Sequence, residues 1–366
     1  MGLLRFLVDF RKKHRALSDV TCFILGFLFD LLFVEHIESR PMLIQQGSYL
    51  VVLTLLIGID HRLDVRGDPE RPGFWWRVLE VREWLIHFFL GTLLNASLIF
   101  YVRSASSLLG WDIVFVVAIA AVLLLNEVPR FRALGPFIRL ALLSFVTTSY
   151  LSYLLPVLLG YLSVWLFIGA VGLGAALTVV LWKVYAWITK DPSWTFRRAV
   201  LPGLACQALV AALYFARVVP PVPLSLRFIG VYHDVQSEGS RSRLFQLSRH
   251  SRFWNHGDVV FRARPGDRVT MFARIFAPRD FHDRLDVRWD YYDERAHAWT
   301  KTDTIPLTVT GGRQEGFRTV AYKENYQPGE WRVQVQTSDD RIVGNLRFRI
   351  VADLTTDLRE FVEEVR

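Results

Sequence analysis

An ionisable side chain inside an apolar run is the first place to look for chemistry, and Asp30 is one. It lies between Leu28-Phe29 and Leu31-Leu32-Phe33, where a carboxylate costs roughly 2.5–3.5 kcal/mol to insert into a bilayer. It suits a proton or cation site, or an ion pair to Arg or Lys on another helix. The plainer reading is a position near the outer headgroups, packed against Tyr or Ser hydroxyls. Asn95 sits mid-run in another apolar stretch, and Thr147, Thr148, Ser149, Tyr150, Ser152 and Tyr153 crowd a third. Such hydroxyls either line a polar cavity or bond to their own and neighbouring helices. With Asp30 they make the candidate intramembrane polar site: Asp30, Asn95, Thr147, Thr148 and Tyr150.

A second constellation lies in the polar C-terminal part. Arg288, Arg332, Arg347 and Arg349 fall on the polar phase of alternating segments. If those segments share a sheet, the guanidiniums make a basic face that could meet anionic lipid head groups or a polyanionic envelope polymer. The alternative is neutralisation by Asp286, Asp290 and other acids. With Trp299, Arg313 and Arg318 they form the candidate binding surface. The alternating Trp289 and Trp331 read as core.

Asp280, His282, Asp283 and Asp286 cluster near His297, but the spacing matches no known ligand loop, and arginines interleave. Self-paired charge is the plainer reading. A zinc protease wants H-E-x-x-H, which Glu35-His36 is not. An aspartyl type wants two facing carboxylates, and the first span offers only Asp30. No metal motif or cofactor loop is read, so no cofactor is expected.

The elements that position these groups follow from hydropathy. A spanning helix needs about 20 mainly apolar residues. Seven windows qualify: Val20–Val34, Leu43–Ile59, Trp84–Val102, Leu108–Leu125, Phe137–Leu155, Tyr161–Ile188 and Ala199–Ala216. Residues 137–188 are too long for one crossing, so Pro156 and Gly160 mark a hairpin. Lys and Arg in the short flanks number sixteen on one side and two on the other. This asymmetry sets the N-terminus in the cytoplasm and everything after Ala216 across the membrane. Residues 1–18, with an apolar stripe of Leu3, Leu4, Phe6, Leu7 and Phe10, read as an interfacial helix on the cytoplasmic leaflet. Residues 19–216 form the helical domain. Residues 217–225, with Pro220, Pro221 and Pro223, form a stiff linker.

From 226 to 366 the period switches to two. Leu285, Val287, Trp289 and Tyr291 alternate with polar residues, as do Trp331, Val333 and Val335, and Leu346, Phe348 and Ile350. Turn signals such as Arg264-Pro265-Gly266-Asp267 separate the segments. This predicts an all-β antiparallel, Ig-like sandwich. Leu354, Leu358, Phe361 and Val365 predict a short amphipathic helix at the end. The fold class expected is therefore a seven-span α-helical transmembrane bundle followed by that sandwich.

The 366 residues are 52% apolar and 21% charged, too greasy for one soluble domain and too charged for a wholly embedded one. The net charge of +8 divides as +5 over residues 1–216 and +3 over residues 217–366. Neither part carries a basic stripe on a recognition element, so no nucleic acid partner is expected. Two cysteines exclude a disulfide framework.

Gly311-Gly312-Arg313, Gly316-Phe317-Arg318-Thr319, Pro328-Gly329-x-Trp331-Arg332-Val333 and Gly344-x-x-Arg347-Phe348 resemble a bacterial C-terminal domain family known only as a domain of unknown function. Its members often follow a multi-pass membrane region, and Val219–Leu224 with Tyr232-His233 is similar to their junction. Gly26-Phe27-x-Phe29-Asp30 also fits. The resemblance implies this architecture and a bacterial envelope location. It carries no catalytic residues.

The expectation is a non-enzymatic inner-membrane protein with its β-domain in the periplasm. Its partners are then the lipid bilayer and an envelope protein, lipid or polymer. The alternative expectation is a small-solute or ion transporter built around Asp30.

Overall fold

The computed structural model describes residues 39–66, 82–105, 111–126, 136–190, 196–238, 241–247, 256–278, 281–310 and 316–366. The first apolar window with Asp30, the segment 1–18, and Arg313 lie outside them. The chain divides into two compact units, one helical and one holding residues 220–366 with the short segments 103–110 and 156–163.

The helical unit contains α1 (Arg40–Arg66), α2 (Arg82–Ser104), α3 (Trp111–Asn126), α4 (Pro136–Leu159), α5 (Val164–Thr189) and α6 (Leu201–Phe215). A π-helical turn, Phe196–Val200, leads into α6. Six of the seven windows are thus helical, but the expectation of seven spans is corrected. Among the described residues four helices are long and apolar enough to cross a membrane: Arg40–Asp60, Leu85–Ser104, Ile138–Leu159 and Val164–Trp187. The apolar stretches of α3 and α6, Asp112–Leu125 and Leu201–Phe215, are shorter. At 1.5 Å per residue each rises only about 20–23 Å, against a hydrocarbon core of about 30 Å.

Helix α4 is the most enclosed of the four, with 72% of its window buried, whereas α5 has 22%. The outer surface of α5 carries Trp165, Leu173, Val180 and Trp187, all exposed. An apolar exterior around a hydroxyl-rich central helix inverts the soluble pattern and suits lipid as solvent. Helix α4 ends at Leu159, three residues past Pro156, and Gly160 takes the left-handed conformation (φ 79°) that turns the chain.

The second unit is a two-sheet sandwich with a small third sheet. One sheet runs β4 (His256–Gly257), β1 (Ser225–Tyr232), β6 (Val269–Phe276), β9 (Phe317–Lys323). The other runs β5 (Val260–Ala263), β11 (Ile342–Ala352), β10 (Gly329–Thr337), β7 (His282–Asp293), β8 (Ala298–Thr310). Met271, Ala273 and Ile275 of the first sheet and Val287, Trp289, Trp331, Val333, Phe348 and Ile350 of the second fill one core. The period-two pattern produces this, because alternate side chains share a face. The sheets are not wholly antiparallel as expected, since β1–β4 and β5–β11 pair in parallel. Strand β8 is the outer strand of its sheet and carries Pro306 opposite Asp286.

The expected C-terminal helix is also corrected. Val362–Val365 form a strand, β12, that pairs antiparallel with β3 (Arg241–Gln246), which pairs in turn with β2 (Asp234–Glu238). Inter-strand hydrogen bonds to β3 win over a 3.6-residue period, and Leu354 and Leu358 of the presumed helical stripe stand in solvent.

Candidate functional site

The best-built exposed constellation is the outer face of the five-stranded sheet. Register places Lys301 of β8 opposite Asp290 of β7, Asp290 opposite Arg332 of β10, and Arg332 opposite Arg347 of β11. These four residues form one row across four strands. A bulge between Trp289 and Asp290 brings Lys301 into it.

Asp290 is fully buried and takes two guanidiniums. Its Oδ1 accepts from Arg288 Nε at 2.6 Å, and its Oδ2 accepts from Arg332 Nε at 3.0 Å and Nη2 at 2.7 Å. Arg332 and Arg347 also lie over the Trp299 ring, 4.6 and 5.5 Å from its centroid, and Tyr292 packs at 5.2 Å. Arg349, two residues further along β11, is paired with its cross-strand neighbour Glu330. Arg347 and Lys301 are exposed, and among the described residues neither has a carboxylate in ion-pair contact.

Four of the sequence-predicted cations, Arg288, Arg332, Arg347 and Arg349, therefore do share a sheet face with Trp299. Neutralisation by Asp290 is real for Arg288 and Arg332 and does not reach Arg347. Arg318 is a correction: it lies on β9 in the other sheet, opposite Arg274, and donates to Ser242 Oγ at 3.4 Å. Trp289 and Trp331 are core. His282 is exposed, and Asp283 accepts the Arg284 N–H. Among the described residues no group of three or more His, Cys, Asp or Glu side chains is placed to hold a metal ion.

In the helical unit the predicted hydroxyls are structural neighbours, not one cavity lining. Thr147 Oγ1 donates to the Leu143 carbonyl and Tyr150 Oη to the Leu43 carbonyl at 2.9 Å. Gly47 permits the latter, since a Cβ there would stand 2.6 Å from Tyr150 Oη. Tyr153 donates to Gln46 at 2.8 Å, and Tyr101 to Ser149 at 3.3 Å. Asn95 lies half-buried on α2. Thr148 is wholly buried and its Oγ1 has no hydrogen-bond partner. It meets the glycine notch at Gly174, where a Cβ would lie 2.8 Å from it and 3.1 Å from Gln207 Nε2. Ser144, Thr147, Gly174 and Thr178 border a crevice of about 20 Å³, room for one water.

Two constellations escaped the sequence reading. Asp60, 4% exposed, ends the membrane-length part of α1 and binds Arg82 of α2 (Nε to Oδ1, 2.9 Å) and Arg139 of α4. All three look like flanking charges in a hydropathy plot. The other staples residues 353–359 to the sandwich. Arg264 and Arg359 both bind Asp353, and Arg359 also binds Asp267 at 2.7 Å. Hydrogen bonds from Thr355, then those from the two arginines, hold the Asp353 carboxyl well below the usual range. Beside it His233 stacks on Phe261 at 4.1 Å. Burial, then the Arg359 charge, pushes this imidazole down to about 4.

No curated protein matches the chain. Among solved structures it is similar to an immunoglobulin-like protein from Pseudomonas aeruginosa (13% identity, 36% of this chain and 98% of that one, TM-score 0.22). It is also similar to a β-glucosidase from Kluyveromyces marxianus (8% identity, 37% and 15%, TM-score 0.18). A third is the alkylpurine DNA glycosylase AlkC of Pseudomonas fluorescens (14% identity, 83% and 98%, TM-score 0.20). Residues 282–350, the stretch that carries the whole cationic row, match the family described as "Protein of unknown function (DUF2914)".

Proposed function

We propose that this protein is a membrane-anchored binding module. Its helices fix the chain in a bacterial inner membrane with the N-terminus cytoplasmic, and its sandwich works in the periplasm on an envelope component or partner protein. The observation that carries the reading is the pairing of two separately packed units. One has helices of membrane length with apolar exteriors. The other is a sandwich with its own core and a cationic, aromatic outer face. The binding residues are Arg332, Arg347 and Trp299, with Arg288, Arg349 and Lys301 around them. Nothing in this role calls for bond-breaking chemistry.

The orientation rests on the Lys and Arg asymmetry between alternate loops. The test is recovery of partners from solubilised membranes by the full chain and by a chain lacking residues 220–366. An envelope component retained only by the full chain is the expected result. Equal recovery by both would remove the reading.

A second reading, transport of an ion or small solute, draws on Thr148, Gln207 and the crevice at Gly174. Its volume of about 20 Å³ admits one water and no solute. Uptake unaffected by Asp30→Asn and Thr148→Val would exclude this second reading.

A further inference from the structure

We infer that the row Lys301–Asp290–Arg332–Arg347 is a binding site for an extended anionic glycan, one bearing repeated carboxylate or phosphate groups. This names the ligand class of the binding module and so rests on that reading.

The first argument is a local cost. Arg332 and Arg347 are direct cross-strand partners, and like charges so placed destabilise a sheet. One carboxylate, Asp290, is shared between Arg288 and Arg332, which leaves Arg347 to the face of Trp299. The rule is also broken by Arg274 and Arg318 in the other sheet, but here the guanidiniums are held by an aromatic ring and a buried carboxylate, which marks a preorganised site. Arginine offers two parallel N–H groups to a carboxylate or phosphate. Arg347 is the exposed one whose fork no carboxylate fills among the described residues.

The second argument is spacing. The row crosses four adjacent strands, and at about 4.8 Å per strand it is roughly 14 Å long. Cations at its two ends and in its interior match successive anions along a polymer better than a single headgroup. The row includes no aliphatic side chain to insert into a bilayer. Trp299 is half-buried and engaged by two guanidiniums. Charge complementarity therefore favours a polyanion lying flat on the sheet.

The experiment uses the full chain in nanodiscs of neutral lipid. Binding of polygalacturonate is titrated at low and high salt, with neutral dextran, inorganic phosphate and phosphatidylglycerol vesicles as comparators. Saturable polygalacturonate binding that weakens with salt, and that falls about tenfold (about 1.4 kcal/mol) in Arg347→Gln and further in Arg347→Gln/Lys301→Gln, is expected. Unchanged melting of both variants excludes a folding defect as the cause. Absence of saturable glycan binding, binding insensitive to both variants, or tighter binding to the anionic vesicles or to free phosphate would each overturn the inference. The broader reading fails separately. If membranes still yield a sandwich-dependent partner to the double variant, the module stands and its ligand is not this one.

Discussion

The two units solve the same electrostatic problem in different ways. Each contains a buried carboxylate, Asp60 or Asp290, that takes two arginines. In the helical unit the three groups come from α1, α2 and α4, and the cluster knots helices distant in sequence. Its arginine side chains are 18% and 12% exposed. In the sandwich the groups come from two adjacent strands, whose hydrogen bonds already align them. The arginines there are 30% and 18% exposed, with a third cation beside them. A buried triad that joins separate elements acts as a fastener. The same triad on a face already aligned by backbone bonds is free to present charge outward.

That contrast can be broken in order of effect. Asp60→Asn removes the buried carboxylate shared by Arg82 and Arg139 and is expected to cost about 3 kcal/mol, read as a lower unfolding midpoint in detergent. Asp290→Asn leaves arginines that can turn toward water, and roughly 2 kcal/mol is expected. Peptide-resolved hydrogen exchange should confine each loss to its own unit. Equal losses, or a loss spread over both units, would undo the distinction.

Acidification should separate the units as well. His233 gains its proton near pH 6.5 when unfolded and only at about 4 when folded. The unfolded chain therefore binds more protons between these values. Stability present above pH 6.5 is lost as pH falls through that window, on the order of 2 kcal/mol in all. Exchange in β1 and β6 should quicken, and His233→Gln should flatten the profile. The smallest effect belongs to Thr148→Val, which removes a buried hydroxyl without a partner. It should be neutral or stabilising by up to about 1 kcal/mol, whereas Tyr153→Phe, which loses the bond to Gln46, should cost about that much.

Much of this was legible in the residues. Alternation at 285–291, 331–335 and 346–350 gives the strands and correctly buries Trp289, Trp331 and Phe348. The polar phase gives the four sheet-face arginines. What it cannot give is register, so the opposition of Arg332 and Arg347 and the sharing of Asp290 emerge only from pairing. Arg318, drawn from a motif and not from strand phase, shows the same gap, because it lies in the other sheet. The terminal segment failed because four apolar residues fit a helical period, while the deciding hydrogen bonds come from β3. Asp60, Arg82 and Arg139 were invisible as a cluster, because a hydropathy window scores each helix alone and treats terminal charges as flanks. The three longest apolar windows became membrane-length helices, and the short window Leu43–Ile59 grew into a fourth, Arg40–Asp60. Two others contracted when helix ends, not average hydropathy, set their length.

The position of Pro306 in β8 has a last consequence. An outer strand offers unpaired backbone groups to any neighbouring chain, and a proline there removes one donor from the offer. Lys301 adds a positive charge on the same strand. Edge-to-edge pairing of one molecule with another along this rim is thereby discouraged, and with it the growth of extended fibres.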